Sequence, residues 1–157
     1  MNLLVNYMKY KYHYETKIGT ICIEQTNNEI TAIYIDKIGS NKDDCETELL
    51  KKTYIELEEY FNKKRTSFDV PIRLIGTEFQ VKVWNELRKI PYGKTVSYGY
   101  IAKAIGSPKA SRAVGAANNK NPILIIVPCH RVIGANGKLV GFACGIEIKK
   151  FLLDLEK

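Results

Sequence analysis

Residues 123–131 read ILIIVPCHR, an apolar run that ends in a proline, a thiol, an imidazole and a guanidinium. A continuous apolar run of this length predicts a buried strand or core segment. The run therefore brings Cys129 and His130 to the point where a core segment ends. An ionised thiol is a strong, soft nucleophile, and an adjacent imidazole is the usual group that ionises it near neutral pH. We expect the chemistry of this protein to depend on Cys129.

Downstream of this run, the pattern predicts a turn at residues 134–137 and a loop over residues 139–144. A last helix follows over about residues 146–155, and its expected buried side chains are Ile148, Phe151, Leu152 and Leu155. Glu156 lies one turn beyond Leu152, so it points toward the same packed side. Because a buried carboxylate is costly without a partner, Glu156 is a candidate functional residue.

Upstream of the run, the pattern predicts two short helices. The first covers residues 98–105 and ends at Gly106, and Ser107 with Pro108 begins the second, which runs to about residue 119. Two short helices joined by a glycine-containing turn form the helix-turn-helix pattern, although many helical hairpins bind no ligand.

The second of these helices has the composition of a nucleic-acid-binding element. Ala113 and Gly115 are small enough to let a backbone approach a groove closely, and Lys109, Arg112 and Lys120 supply positive charge for phosphates. The charge of the whole chain agrees: residues 76–157 contain 13 Lys+Arg against 5 Asp+Glu, whereas residues 1–75 contain 11 against 12. This asymmetry favours a polyanionic partner such as nucleic acid, and a basic surface that only aids solubility is the alternative.

The first half of the chain predicts a small α/β unit. Strands are expected between residues 9 and about 36 with a hairpin turn at Asn27-Asn28, then a helix over about residues 45–62 and a short strand at 68–72. A capping box at residues 77–80 then begins a helix that Pro91-Tyr92-Gly93 ends. We therefore divide the chain into an α/β domain, residues 1–75, and a mostly helical domain, residues 76–157.

Several classes of protein are disfavoured by composition. Cys22, Cys45, Cys129 and Cys144 form no CxxC pair, and with only His13 and His130 beside them no zinc-ligand spacing is present, so we expect no metal. No apolar stretch approaches the ~18 residues that a membrane span needs. The apolar stretch within residues 1–8 lacks the flanks of a signal peptide, which makes export unexpected and a cytoplasmic location the prediction.

The order of these features resembles that of the O6-alkylguanine-DNA alkyltransferases, which take an alkyl group from guanine O6 onto their own cysteine. The resemblance covers residues 77–156, and Pro128-Cys129-His130-Arg131 in this context is highly specific. It implies a ribonuclease-H-like α/β domain, here matched only in length and coarse pattern, followed by a domain with a winged helix-turn-helix-like motif. It also implies irreversible, single-turnover repair of O6-alkylguanine, and of O4-alkylthymine by the same chemistry, in double-stranded DNA. Base flipping, a monomer, no cofactor, and a nuclear location in a eukaryote are further implications.

The resemblance assigns roles at the expected active site. Cys129 would be the alkyl acceptor, and His130, through a water molecule, the base that removes the thiol proton. Glu156 would hold His130 in its working tautomer. Asn121 would tie the end of the second helix to the active-site turn, and Tyr98 would donate a proton or hydrogen bond to the departing guanine.

The resemblance also assigns the DNA surface and the base pocket. Arg112 would enter the duplex and fill the space of the extruded nucleotide. The other expected DNA contacts are Lys109, Ala113 and Arg131. Val132, Phe142 and Ala143 would shape the guanine pocket. The family often has tyrosine at Phe142, so a hydroxyl is lost here, and Cys144 stands where the family usually has a smaller residue.

Two other functions are compatible with the sequence. One is a protein that binds alkylated DNA on the same scaffold without reacting, although relatives of that kind lack the cysteine that this chain has at position 129. The other is a thiol hydrolase or redox enzyme that uses Cys129 and His130. Adjacent residues point in different directions from a strand or turn, which makes a direct Cys–His pair less favourable than a water-bridged one.

Overall fold

The computed structural model describes residues 7–140 and 142–157, and it has the fold class expected from the sequence. Most of the apolar N-terminal stretch lies outside the described residues. The elements, in chain order, are β1 (Lys9–Thr16), β2 (Gly19–Thr26), β3 (Glu29–Ile35), α1 (Glu48–Phe61), α2 (Glu78–Leu87), β4 (Val96–Ser97), α3 (Tyr98–Ala104), α4 (Ser111–Asn119), a 3₁₀ turn (Cys129–Arg131), β5 (Val132–Ile133) and α5 (Ile146–Leu155).

The N-terminal half is an antiparallel sheet in the order β1-β2-β3 with α1 packed against it. The hairpin turn forms at Asn27 as expected, with φ 53°. Helix α1 begins about three residues later than predicted because Thr47, not an aspartate, caps it by accepting from the Leu50 amide at 3.0 Å. Asp44 is occupied elsewhere, since its carboxylate accepts from the backbone and ring nitrogens of His13 at 3.0 and 2.7 Å.

In the C-terminal half, α2 begins with the predicted capping box at Thr77 and Gln80. The helix pair α3 and α4 is also present, but α4 begins at Ser111 rather than at Ser107. Residues 107–110 form a turn closed by the Ala110 amide, which donates to the Ser107 carbonyl at 2.9 Å. This turn supplies the change of direction between the helices, so the Ser-Pro cap is not used.

The strand predicted at residues 68–72 and the run 123–127, predicted as a buried strand or core segment, each form only one bridge to the sheet. Residue Ile72 forms one parallel bridge with Ile30, and Ile123 forms one with Ile33. The run 123–127 then turns, because Ile125 has φ +72° and the Val127 amide donates back to the Ile123 carbonyl at 3.0 Å. A left-handed β-branched residue is a backbone outlier, so this buried run is a tight turn rather than a strand.

One apolar core connects the two halves. It extends from Ile21, Ile23 and Leu57 on the sheet side to Trp84 and Leu152 on the helical side, and all five are at most 2% exposed. The bridge to Ile33 anchors the start of the 123–127 run on β3, and this positions the chain that leads to Cys129. Within the described residues, no helix is both long enough and apolar enough to cross a membrane.

Candidate active site

Cys129 opens the 3₁₀ turn at the end of the apolar run and is only 3% exposed. Burial raises the pKa of its thiol to about 12, whereas a hydrogen bond from the Asn121 side chain acts in the opposite direction. The resting residue is therefore a neutral thiol, and its reaction requires a base. All four cysteines of the chain are free thiols.

His130, which follows Cys129 in the 3₁₀ turn, forms a buried pair with Glu156. Nε2 of the imidazole lies 2.7 Å from Oε2 of the carboxylate, and His130 is fully buried. Burial lowers the pKa of His130, although its bond to Glu156 opposes the shift, so the ring is neutral at pH 7. Because Nε2 faces a carboxylate, it carries the proton, and Nδ1 is left as an acceptor. That atom has no partner among the described residues.

Glu156 is ionised and held from several directions. Burial opposes its ionisation, but hydrogen bonds from His130, Arg131 and Tyr60 lower its pKa. The Tyr60 hydroxyl donates to Oε2 at 2.5 Å, and the amide of Gly93 lies 3.3 Å from Oε1. Gly93 has φ +76°, and a Cβ there would lie 2.9 Å from the Glu156 carbonyl oxygen, so the close approach requires glycine.

The assignment of Arg131 to DNA is wrong. Its side chain is buried, and its guanidinium donates to both carboxylate oxygens of Glu156 at 2.8 and 3.0 Å and to the Ile90 carbonyl at 2.7 Å. The same group lies 5.8 Å from the ring centre of Tyr92. Arg131 is therefore the counter-ion that keeps Glu156 charged in the core, which the tetrapeptide alone could not indicate.

Asn121 lies between the end of α4 and the active-site turn, as its predicted role requires. Its Nδ2 donates to the Val127 carbonyl at 2.7 Å, and its Oδ1 accepts from the Ile123 amide at 2.9 Å. Both bonds close the loop that carries Cys129. The amide therefore fixes the path of the chain from α4 to the nucleophile.

Three of the four expected DNA contacts are exposed at the beginning of α4. Lys109, Arg112 and Ala113 are exposed in the turn before α4 and on its first residues. A groove of about 260 Å³ opens beside them, and Tyr98, Ser111, Arg112, Gly115, Asn119 and Val140 line it. The Tyr98 hydroxyl donates to the Val140 carbonyl at 2.9 Å at the edge of this groove.

The residues expected to form the base pocket differ in their exposure. Val132 is fully buried, Phe142 is half-buried, and Ala143 is exposed in the turn before α5. Cys144 is half-buried, and burial raises its pKa. Among the described residues, no group of three His, Cys, Asp or Glu side chains is arranged to hold a metal ion.

Lys149 is a site residue that the sequence interpretation missed. It is fully buried, and its Nζ donates to the carbonyls of Val132 at 2.5 Å and Val140 at 3.2 Å. It lies 5.9 Å from the Tyr98 ring and 5.8 Å from the Phe142 ring. Burial lowers the pKa of this lysine, and charge coupling to Cys129 opposes that shift.

The helical spacing of α5 contained a signal for Lys149. Residues 149, 152 and 156 follow one face, so extending the stripe of Leu152 and Glu156 backward reaches Lys149. Phe151, which was predicted to be buried, is instead 37% exposed. Tyr60 was also missed. It lies one turn beyond Leu57 on the buried face of α1, where the helical spacing predicts a core residue but does not reveal the partner of its hydroxyl.

Comparisons with known proteins match both halves of the chain. Residues 78–157 match the family model described as 6-O-methylguanine DNA methyltransferase, DNA binding domain, and residues 8–74 match the ribonuclease-like domain of the same methyltransferase. The chain is 43% identical to the constitutive methylated-DNA–protein-cysteine methyltransferase of Bacillus subtilis over 96% of each chain. It is 63% identical to the Methanosarcina acetivorans protein of that name over 69% of this chain and 70% of the relative.

Matches to other Methanosarcina relatives cover 65% of each relative. Among solved structures, the Mycobacterium tuberculosis O6-methylguanine methyltransferase aligns with a TM-score of 0.86 and 42% identity, over 96% of this chain and 93% of that one. A crystal structure of the Mycobacterium tuberculosis OGT in complex with DNA aligns with the same TM-score and 44% identity, over 94% and 92% of the two chains.

Proposed function

Because the chain belongs to the 6-O-methylguanine DNA methyltransferase family, we propose that it repairs alkylated DNA by transferring an alkyl group from guanine O6 to Cys129. One observation assigns this function to particular residues. Buried Cys129 directly precedes a neutral His130 whose ring is bonded to Glu156, and Asn121, just beyond the basic helix α4, holds the loop that leads to Cys129. The candidate nucleophile and base are thus consecutive residues tied to the end of the basic helix α4.

The base must be an imidazole with a free lone pair. Nδ1 of His130 meets this condition, since Nε2 is committed to Glu156. A water molecule between Cys129 and His130 would carry the thiol proton to Nδ1. The resulting imidazolium is then stabilised by the Glu156 carboxylate, in the manner of other nucleophile–base–orienter triads.

Transfer then exchanges one bond for another. The S–C bond forms as the C–O6 bond breaks, and the electron pair of the broken bond passes to guanine. The Tyr98 hydroxyl would exchange its hydrogen bond to the Val140 carbonyl for one to the guanine. This bond would offset the negative charge that develops on the guanine. The ammonium of Lys149 stabilises the thiolate electrostatically during this step. The product is a thioether, which does not readily hydrolyse, so each molecule reacts once.

Access to Cys129 requires that the target base leave the helix stack. At 3% exposure the sulfur cannot meet a base that is still paired in a duplex. Extruding a nucleotide costs a few kcal/mol. Arg112, exposed beside the groove of α4, would fill the space of the extruded base, and the small residues of α4 suit insertion into the minor groove. The same pocket would admit O4-alkylthymine.

We propose that the protein acts as a monomer on double-stranded DNA. It would act in the cytoplasm, or in the nucleus of a eukaryote, where the genome lies. Transfer from duplex DNA with labelled O6-methylguanine tests the proposal. Wild type and Cys45→Ala, which removes an exposed thiol, should acquire label, whereas Cys129→Ala should bind the DNA and acquire none. Labelling of Cys129→Ala would contradict the assignment.

A further inference from the structure

Asn118 connects the last turn of α4 to the backbone of Cys129. Its Nδ2 donates to the Cys129 carbonyl at 3.3 Å, and the side chain is 1% exposed. The same carbonyl accepts from the Val132 amide, which closes the 3₁₀ turn. Asn118 therefore supplies the one side-chain bond that the structure records to the peptide of the nucleophile itself.

The residue directly before Asn118 in α4 is also fixed. The indole Nε1 of Trp84 donates to the Ala117 carbonyl at 2.8 Å in the core. Asn118 thus extends from a helix end that α2 anchors through the bond from Trp84 to Ala117. A bond from such an anchored donor sets the orientation of the Cys129 peptide and, with it, the direction of the Cα–Cβ bond that carries the sulfur.

Stability does not account for an asparagine at this position. Its Oδ1 is buried and has no partner among the described residues. A buried acceptor without a partner is unfavourable, and an apolar side chain of similar volume such as leucine would avoid it. The recorded bond of the Asn118 side chain is the one that its Nδ2 donates to the Cys129 carbonyl.

We propose that Asn118 is a positioning residue for alkyl transfer, which aligns the Cys129 sulfur through the Cys129 carbonyl and joins it to the DNA-reading helix. This inference rests on the proposed function. Displacement of a reacting group by about 1 Å can lower a rate about 100-fold, so loss of this bond should be visible in the transfer rate. Because Asn118 acts on Cys129 and not on DNA, the loss should be the same for duplex O6-methylguanine and for free O6-benzylguanine.

Two variants of the full chain test this role. Asn118→Leu removes the donor, and the transfer rate should fall roughly 10- to 100-fold on both substrates while the Kd for DNA is unchanged. Ile23→Val, a buried change in the distant sheet, is the control for lost stability and should transfer at the wild-type rate. Wild-type rates in Asn118→Leu, or an equal loss in Ile23→Val, would overturn the proposal.

Asn118→Asp provides a readout that a purely structural role would not give. A protonated carboxyl can donate to the Cys129 carbonyl, whereas a carboxylate repels it, and burial raises the pKa of such a group. The ratio of variant to wild-type rate on O6-benzylguanine should therefore rise as the pH falls from about 8 to about 6. A ratio that does not change with pH would overturn the proposal. Absence of transfer by the wild type would instead contradict the proposed function.

Discussion

The hydroxyl of Tyr60, on helix α1, donates a hydrogen bond of 2.5 Å to Oε2 of Glu156, which follows helix α5. The same oxygen lies 2.7 Å from His130 Nε2. The N-terminal half thus supports the carboxylate that orients the proposed base. This bond adds a polar link between the α/β unit and the site to the shared apolar core and the bridge between Ile33 and Ile123.

We predict that Tyr60→Phe lowers the free energy of unfolding by about 1.5–3 kcal/mol, since the lost bond goes to a buried carboxylate. Urea denaturation measures this change. Tyr54→Phe is the matched control, because the hydroxyl of Tyr54 makes only an exposed contact of 3.4 Å, and it should change stability by less than about 0.5 kcal/mol. Equal effects of the two variants would contradict a role for Tyr60 in holding Glu156.

We predict that His13 makes a pH-dependent contribution to the free energy of unfolding. It is buried between Asp36 and Asp44, and although burial opposes protonation, its hydrogen bonds to both carboxylates raise its pKa. Because the pKa of His13 is higher in the folded than in the unfolded chain, protonated His13 stabilises the fold. This stabilisation is complete below pH 6.5, the pKa of an unfolded histidine, and is lost as the pH rises through the higher pKa of the folded state.

His130 contributes with the opposite sign, because burial lowers its pKa. The effect of His13 is therefore measured as the difference in unfolding free energy between wild type and His13→Asn. This difference should be largest near pH 6 and should shrink as the pH rises above 6.5. A difference that grows with pH would show that His13 is neutral in the folded protein.

Arg112→Ala should separate DNA recognition from chemistry. Without a side chain to fill the space of the extruded base, repair of duplex O6-methylguanine should slow roughly tenfold or more, since flipping costs a few kcal/mol. Reaction with free O6-benzylguanine should not change. Lys82→Ala removes an exposed charge from α2 and serves as the control. Equal losses on both substrates in Arg112→Ala would contradict its role in the duplex.

The salt dependence of DNA binding distinguishes Lys109 from Arg131. Removal of a phosphate contact lowers the slope of log K against log salt by about 1, and Lys109→Ala should show this. Arg131→Met should leave the slope unchanged but lower the free energy of unfolding by about 3–5 kcal/mol, because it leaves Glu156 as an uncompensated buried charge. A changed slope in Arg131→Met would restore its assignment to DNA.

The sequence was most informative where local pattern and chemistry coincide. The capping box of α2 and the hairpin at Asn27 formed as predicted. The conjunction of His130 with Glu156 was implied by the resemblance, and the 2.7 Å contact between them agrees with it. For the capping box and the hairpin, a few neighbouring residues determine the outcome.

The sequence was less informative about which long polar side chains are buried. Arg131 was assigned to DNA and Lys149 was not identified, because their partners are a carboxylate 25 residues away and the carbonyls of Val132 and Val140. Periodicity also failed for the 123–127 run, since a strand and a tight buried turn share the same apolar composition. Ile125 adopts its left-handed conformation only because the surrounding core holds it there.

The central claim is that Cys129 accepts an alkyl group from DNA once and retains it. The most direct measurement is the mass of the intact protein after incubation with excess duplex DNA containing O6-methylguanine, followed by peptide mapping. We expect one methyl group per protein molecule, located on the peptide with Cys129, and no further reaction when more DNA is added. An unmodified protein, a methyl group on another residue, or repeated turnover would contradict the account.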